Sequence, residues 1–256
     1  MIIKHSIKQL KTDRLSAICI GSFDGVHIAH KKILQKTKQE AAKIKGISIV
    51  ISFSNHPYQV LHPHNKNFGL LCTEEDKITR IAEAGIDYYI SLDFNQKTAN
   101  TTYLDFIHLL KKQLNMHTLV MGQNHHFGKE QGGCLPALRT GASQENIKIA
   151  LVNDVYIGKE KISSSAIRTK ILQGNLAGAN AMLGYPYGFP AYKTGTWKKY
   201  TRFMPLNRHL IFPPTKQQYN ITVNGQPATA CTDAFYIYVE TVYCNQMEKV
   251  NISFIS

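Results

Sequence analysis

The chain has 256 residues, 43% of them hydrophobic and 18% charged, which is enough for one large domain or two modest ones and excludes a disordered polyelectrolyte or a coiled coil. Thirty basic against seventeen acidic residues give a formal charge of +13. That excess leaves three kinds of anionic partner to weigh: nucleic acid, a membrane surface, or a small polyphosphate.

The first fifteen residues carry Lys4, Lys8, Lys11, Asp13 and Arg14, spaced too closely for the apolar run of a signal peptide. No later stretch has the length of a membrane span. Cys19, Cys72, Cys134, Cys231 and Cys244 are odd in number and form no CxxC pair, which argues against a disulfide framework and a zinc knuckle. The expectation is a cytoplasmic protein with no membrane partner. Lys31, Lys32, Lys36, Lys38, Lys43 and Lys45 face only Glu40, and this segment reads as a solvated helix face.

In chain order, Ala17–Ile20, Ile47–Phe53, Tyr88–Leu92, Leu119–Met121 and Ile147–Val152 read as strands bounded by Gly, Asp or Asn. Lys31–Lys45, Glu74–Ala84, Thr102–Leu114 and Ser163–Gln173 read as helices between them. Tyr103, Phe106, Ile107, Leu110 and Leu114 recur at spacings of three and four, so one face of their helix packs on a sheet. Strand and helix in alternation predict an α/β, Rossmann-like domain with a parallel sheet, and its ligand site falls at the carboxyl ends of the strands.

After Pro186 the pattern changes. Tyr219, Ile221 and Val223 alternate ahead of Asn224-Gly225, a hairpin signal, and the sets Phe235, Ile237, Val239 and Val250, Ile252, Phe254 alternate again. The boundary is set at 185/186: domain one covers 1–185, and 186–256 form a small β-rich, barrel-like module.

The stretch Gly21-Ser22-Phe23-Asp24-Gly25-Val26-His27-Ile28-Ala29-His30 joins the first strand to the first helix. Gly21 and Gly25 permit a tight turn and close approach of backbone to ligand. His27 and His30 project together at a helix N-terminus, where free N–H groups and the dipole favour phosphate. With no third ligand evident beside the pair, no metal is assigned to it. Ser163, Ser164 and Ser165 supply an N-cap and hydroxyls to a later helix. Arg168 returns to that helix start within two turns, on a position read as exposed, and makes a cap into a phosphate cradle. Asn124 follows an apolar strand and so sits at the sheet's carboxyl edge.

The ten residues from Gly21 resemble the GxFDGxHxGH signature of the nucleotidylyltransferase superfamily, in the FDG form of bacterial bifunctional riboflavin kinase/FAD synthetases. Ala29 stands where the family usually has Gly. Four further blocks are similar to the family in the same order. Ser52-Phe53-Ser54-Asn55-His56-Pro57 has Asn55 in place of a proline, and Gly122 to Lys129 has His125 in place of an aromatic residue. The other two are Ile162 to Arg168 and Gly174 to Tyr187. The resemblance implies an FMN adenylyltransferase that makes FAD and pyrophosphate from FMN and ATP, with Mg2+ accompanying ATP.

By the same resemblance, His27, His30, Ser164 and Arg168 are catalytic. Gly21, Ser22, Phe23, Asp24, Gly25, Ser163 and Ser165 join them in binding ATP, and Phe53, Asn55, His56, Pro57, Asn124 and Phe127 line the FMN site. The family's second domain is a barrel kinase with a G-x-P-T-[AT]-N motif. Gly188-Phe189-Pro190-Ala191-Tyr192 lacks its Thr and Asn, so the kinase activity reads as lost and the β module as a shortened remnant. Two alternatives remain: transfer to another phosphorylated acceptor, against which Gly25 counts, and a non-catalytic nucleic-acid-binding protein. The second suits the charge, but its basic residues are not interleaved with aromatic ones.

Overall fold

The structure, a computed structural model, describes all residues except 66–67, 124–127, 129–134, 198, 216–217, 241–247 and 256, and the side chain of Trp197. The chain forms two compact units: Met1–Lys66 with Glu74–Val155, and Asn67–Thr73 with Tyr156–Ser256. Compactness thus divides the chain differently from a cut at 185, assigning residues 156–185 and 67–73 to the unit that holds the β module.

In the first unit, β1 (Ile2–Lys4), β2 (Ser16–Ile20), β3 (Ile47–Phe53), β4 (Tyr88–Leu92), β5 (Met116–Gly122) and β6 (Lys148–Val152) make one parallel sheet in the order β1-β4-β3-β2-β5-β6. Around it lie α1 (Ile28–Lys43), α2 (Pro57–Leu61), α3 (Glu74–Glu83), α4 (Gln96–Ala99), α5 (Tyr103–Leu114) and α6 (Leu135–Gln144). Alternate strand residues go to opposite faces. Ile18, Ile49 and Leu119 pack with Ile107 and Leu110 of α5 and Leu138 of α6, whereas Cys19, Val50 and Val120 pack with Leu34 of α1 and Ile81 of α3. Each such fully buried aliphatic side chain contributes about 1.5–3 kcal/mol, so the strands are apolar on both faces rather than one. The chain leaves β2 for β3 and β4 on one side and returns to β5 and β6 on the other, and this reversal of direction puts the expected ligand crevice at the carboxyl end of β2.

Three departures from the sequence reading have physical causes. β1 is a three-residue, largely exposed edge strand, too short to show a period. α6 shows no clear helical period in the sequence because Gly141 interrupts it; a Cβ there would come within 2.7 Å of Leu104, so the interruption is a close packing contact. α1 begins at Ile28 rather than Lys31 because His27 caps it, and it stops at Lys43, short of Lys45, whose φ is +49°.

The second unit opens with a small hairpin, β7 (Tyr156–Ile157) and β8 (Glu160–Lys161), then α7 (Ser164–Leu172) and α8 (Leu176–Leu183). Then β9 (Gly188–Trp197), β10 (Tyr200–Pro205), β11 (Gln218–Val223), β12 (Gln226–Thr232), β13 (Ile237–Glu240) and β14 (Lys249–Ile255) close an antiparallel barrel in the order β10-β13-β12-β11-β14-β9. Asn224 and Gly225, both with positive φ, make the predicted hairpin between β11 and β12, and Tyr219, Ile221, Val223, Val250, Ile252 and Phe254 point inward as their alternation requires. Phe235 does not join Ile237 and Val239. The Asp233 carboxylate accepts from the backbone N–H groups of Phe235 and Tyr236, both at 2.8 Å, and this turn leaves Phe235 70% exposed ahead of β13.

α8 belongs with the barrel because Asn180 bonds it to the place where β14 meets the start of β9. Its amide donates to the Phe254 carbonyl (2.9 Å), and its oxygen accepts from the Tyr187 N–H (2.7 Å). Leu70 pairs with Leu210, and a Cβ on Gly69 would meet Ile211 at 2.7 Å, which explains why 67–73 go with this unit. No described helix is long and apolar enough to cross a membrane.

Candidate active site

β2 ends at Ile20, and Gly21 leaves it with its N–H bonded to the Ile51 carbonyl of β3 (3.1 Å). A Cβ on Gly21 would stand 3.3 Å from the Phe23 ring, so the glycine accommodates the ring folded beneath it. The next turns need a left-handed backbone: φ is +49° at Phe23, +79° at Gly25 and +36° at Val26. Gly25 adopts this freely, but a β-branched valine does not, and such strain costs of order 1–3 kcal/mol. It persists because Phe23 and Val26 are anchored in the core, 1% and 0% exposed, so the turn is fixed from below while its backbone runs on into α1.

His27 caps that helix. Its Nδ1 accepts from the His30 N–H at 3.4 Å, which assigns the proton of the neutral ring to Nε2. The two imidazoles lie stacked, with centroids 3.6 Å apart and planes 13° apart, and the Phe23 ring rests 5.2 Å from His30. The sequence expectation that both histidines project together at the helix start is what the structure shows. Asp24 and His27 are buried, at 4% exposure each, in the same turn.

The second motif block, Ser52 to Pro57, ends β3 and opens α2. Phe53 and Phe94 meet edge to face (5.2 Å), and His56 caps α2 by accepting from the Tyr58 N–H (3.1 Å) with Pro57 at the first helical position. Asn55 does something the sequence did not reveal. Its amide donates to the Phe94 carbonyl and accepts from the Phe94 N–H, both at 2.8 Å, like one rung of a sheet. Through these two bonds Asn55 holds the loop after β4 against the end of β3. Asn124 and Phe127 lie outside the described residues.

One further buried side chain joins this region and is not singled out by the sequence motifs. Lys77 of α3 is 8% exposed, and its ammonium donates to the carbonyls of Phe53 (2.6 Å) and Ser22 (3.4 Å), the residues following β2 and ending β3. Its signal was available. Lys77 stands four residues before the buried Ile81, on the face of α3 that packs inward.

Ser163, Ser164, Ser165 and Arg168 belong to the second unit. Ser163 caps α7, its Oγ accepting from the Ala166 N–H at 3.2 Å. Arg168 is not on an exposed position as the sequence suggested. It is half-buried, its Nε donates to the Gly69 carbonyl (2.6 Å), and its guanidinium lies over the Phe68 ring at 4.3 Å, which fixes the plane of the fork.

The basic face of α1 is also more ordered than a solvated helix would be. Glu40 is 2% exposed and takes Lys36 (3.1 Å), Lys43 (2.8 Å) and Lys148 of β6 (2.8 Å). Hydrogen bonds from Lys148 and then Lys43 hold its carboxyl down at about 2. Burial pushes the Cys19 thiol up to about 12, which makes it an inert core group.

A family model described as FAD synthetase matches residues 9–166. The chain is 32% identical over 177 residues to the FAD synthetase of Listeria monocytogenes, the match covering 69% of this chain and 72% of that one. It is 31% identical over 186 residues to the bifunctional riboflavin kinase/FMN adenylyltransferase of Buchnera aphidicola subsp. Schizaphis graminum, covering 72% of this chain. The chain spans a little over half the length of such bifunctional relatives, 56–58%. Among solved structures, the macrolide-efflux protein from Streptococcus pneumoniae matches with a TM-score of 0.84 at 22% identity, over 99% of this chain and 88% of that one, a likeness of fold.

Proposed function

Because the chain belongs to the FAD synthetase family, we propose that it transfers the adenylyl group of MgATP to the phosphate of FMN, forming FAD and pyrophosphate. An FMN phosphate oxygen attacks the α-phosphorus while the bond from that phosphorus to the bridging α–β oxygen breaks. The nucleophile is already an anion, so the protein's work is positioning and stabilisation of shifting charge. The observation that carries the proposal is the stacked His27–His30 pair at the start of α1, reached through a turn with three positive φ values.

The backbone of Gly21–Gly25 holds the nucleotide, and His27 and His30 donate to the triphosphate as charge moves toward the leaving group. Ser163, Ser164, Ser165 and Arg168 take the β- and γ-phosphates. Phe53, His56 and Pro57 line the flavin side, with Asn55 shaping it from behind. Mg2+ enters with the nucleotide as part of the substrate, and the reaction belongs in the cytoplasm. Neither transfer to another acceptor nor nucleic-acid binding is favoured by the family match.

The test is to incubate the protein with MgATP and either FMN or riboflavin and to resolve the flavins by chromatography. FMN is expected to yield FAD, and riboflavin no FMN, since the segment Gly188-Phe189-Pro190-Ala191-Tyr192 forms the start of a barrel strand without the kinase motif's Thr and Asn. No FAD from FMN would defeat the proposal; FMN from riboflavin would defeat its second half.

A further inference from the structure

From the contacts of the buried ammonium of Lys77 we infer that this side chain is a strut that sets the distance between adenylyl donor and acceptor, an inference that rests on the proposed FMN adenylyltransferase reaction. The nucleotide turn leaves β2 at Gly21 and Ser22, and the flavin corner leaves β3 at Phe53. A parallel pair of strands holds its ladder only as far as its last bonded residues, here Ile20 opposite Ile51 with the Gly21 N–H on the Ile51 carbonyl. Beyond that point the two loops need another tie. Ser52 supplies one weak tie, its hydroxyl donating to the Ser22 carbonyl at 3.2 Å. Lys77 supplies a charge-assisted one, reaching both Ser22 and Phe53 from α3.

The side chain is suited to this. Its stem lies in the face of α3 that buries Ile81, so the ammonium reaches the two loops along a buried path from an anchored helix. Each loop also has its own anchor, Phe23 and Val26 in the core for the turn and the Asn55–Phe94 rung for the corner. Losing Lys77 therefore leaves each binding surface in place and changes the span between them. In-line transfer is sensitive to that span: a misplacement near 1 Å costs about 100-fold in rate.

The experiment compares wild-type protein with Lys77→Met, which keeps the apolar stem and removes the donors. Affinities for ATP alone and FMN alone are measured by calorimetry, kcat by FAD formation, and folding by thermal unfolding. The expected result is a kcat lower by about 30–100-fold with each separate affinity within about threefold of wild type. Wild-type kcat in a folded variant overturns the inference, and so does a loss accounted for entirely by weakened binding of one substrate, which would make Lys77 a binding residue. If the methionine variant does not fold, Lys77→Arg is read the same way. Its longer fork keeps the charge but displaces one carbonyl, so lowered kcat at unchanged affinity supports the strut and unchanged kcat removes it. Wild-type protein that makes no FAD defeats the reaction itself, an outcome distinct from an active wild type with an equally active variant.

Discussion

Two helix starts in this molecule carry phosphate-type signals, and they are built differently. At α7, Ser163 sits in extended backbone, φ −153°, and its hydroxyl takes the Ala166 N–H, an arrangement that helix capping explains without any ligand. At α1, the cap is an imidazole only 4% exposed, a second imidazole stacks on it, and the approach includes a valine with φ +36°. Folding alone asks for none of these; a serine cap after an unstrained turn would start the helix more cheaply. Backbone strain, and not capping alone, sets the α1 start apart from the α7 start.

His30 is expected to separate the two helix starts most strongly. If the α1 start works on the transition state, His30→Ala lowers kcat by on the order of 100-fold or more while ATP affinity changes little, because its hydrogen bond strengthens as charge develops. Steady-state kinetics beside equilibrium ATP binding checks this. A raised KM with unchanged kcat would reduce His30 to ground-state binding and erase the distinction between the two helix starts.

At α7 the effect is smaller and mixed. Arg168→Lys loses the planar fork, and FAD formation and FAD pyrophosphorolysis are both expected to fall by about tenfold. Stability falls as well, by about 1 kcal/mol, since the Nε bond to the Gly69 carbonyl goes too. Measuring both reaction directions and thermal unfolding separates the parts. Full activity in both directions would leave α7 a capped helix with a structural arginine.

How much of this was legible in sequence depends on the range of the interaction. The β2–turn–α1 motif, the two-sided apolar strands and the Asn224-Gly225 hairpin are local patterns, and each appears where expected. Lys77 reaching back to Ser22 and Phe53, Asn55 pairing with Phe94, and Arg168 binding Gly69 are partnerships between residues 24 to 99 positions apart. No period or spacing encodes them. Phe235 fails for the opposite reason: a local Asx turn at Asp233 overrides a longer alternation that reads correctly at Ile237 and Val239.

Within the α1 turn, Gly25→Ala sharpens the role of conformation apart from chemistry. At φ +79° an alanine costs about 1 kcal/mol in the native turn, so a loss of a few degrees in Tm and a several-fold fall in FAD formation are expected. Unchanged activity would show that the turn needs no left-handed residue there to present its backbone.

The remaining contrast lies along α1 itself, between its first turn and the Glu40 cluster three turns on. Glu40 gathers Lys36, Lys43 and Lys148, and its carboxyl is held down at about 2 against an ordinary value near 4.3. A carboxyl depressed on folding stabilises above its unfolded value and loses that contribution as pH falls through its folded one. Two of its partners are 60% and 53% exposed, so solvent screening brings the contribution to about 1–2 kcal/mol. Glu40→Gln should therefore unfold more easily than wild type at pH 7, by that amount, with kcat unchanged within about twofold. The gap should close as pH is lowered from about 5 toward 2, and it should shrink with salt. Chemical denaturation of both proteins across that range gives the answer. A gap independent of pH would mean that packing, not charge, holds Glu40, and a fall in kcat would mean that the body of α1, and not only its strained first turn, takes part in the reaction.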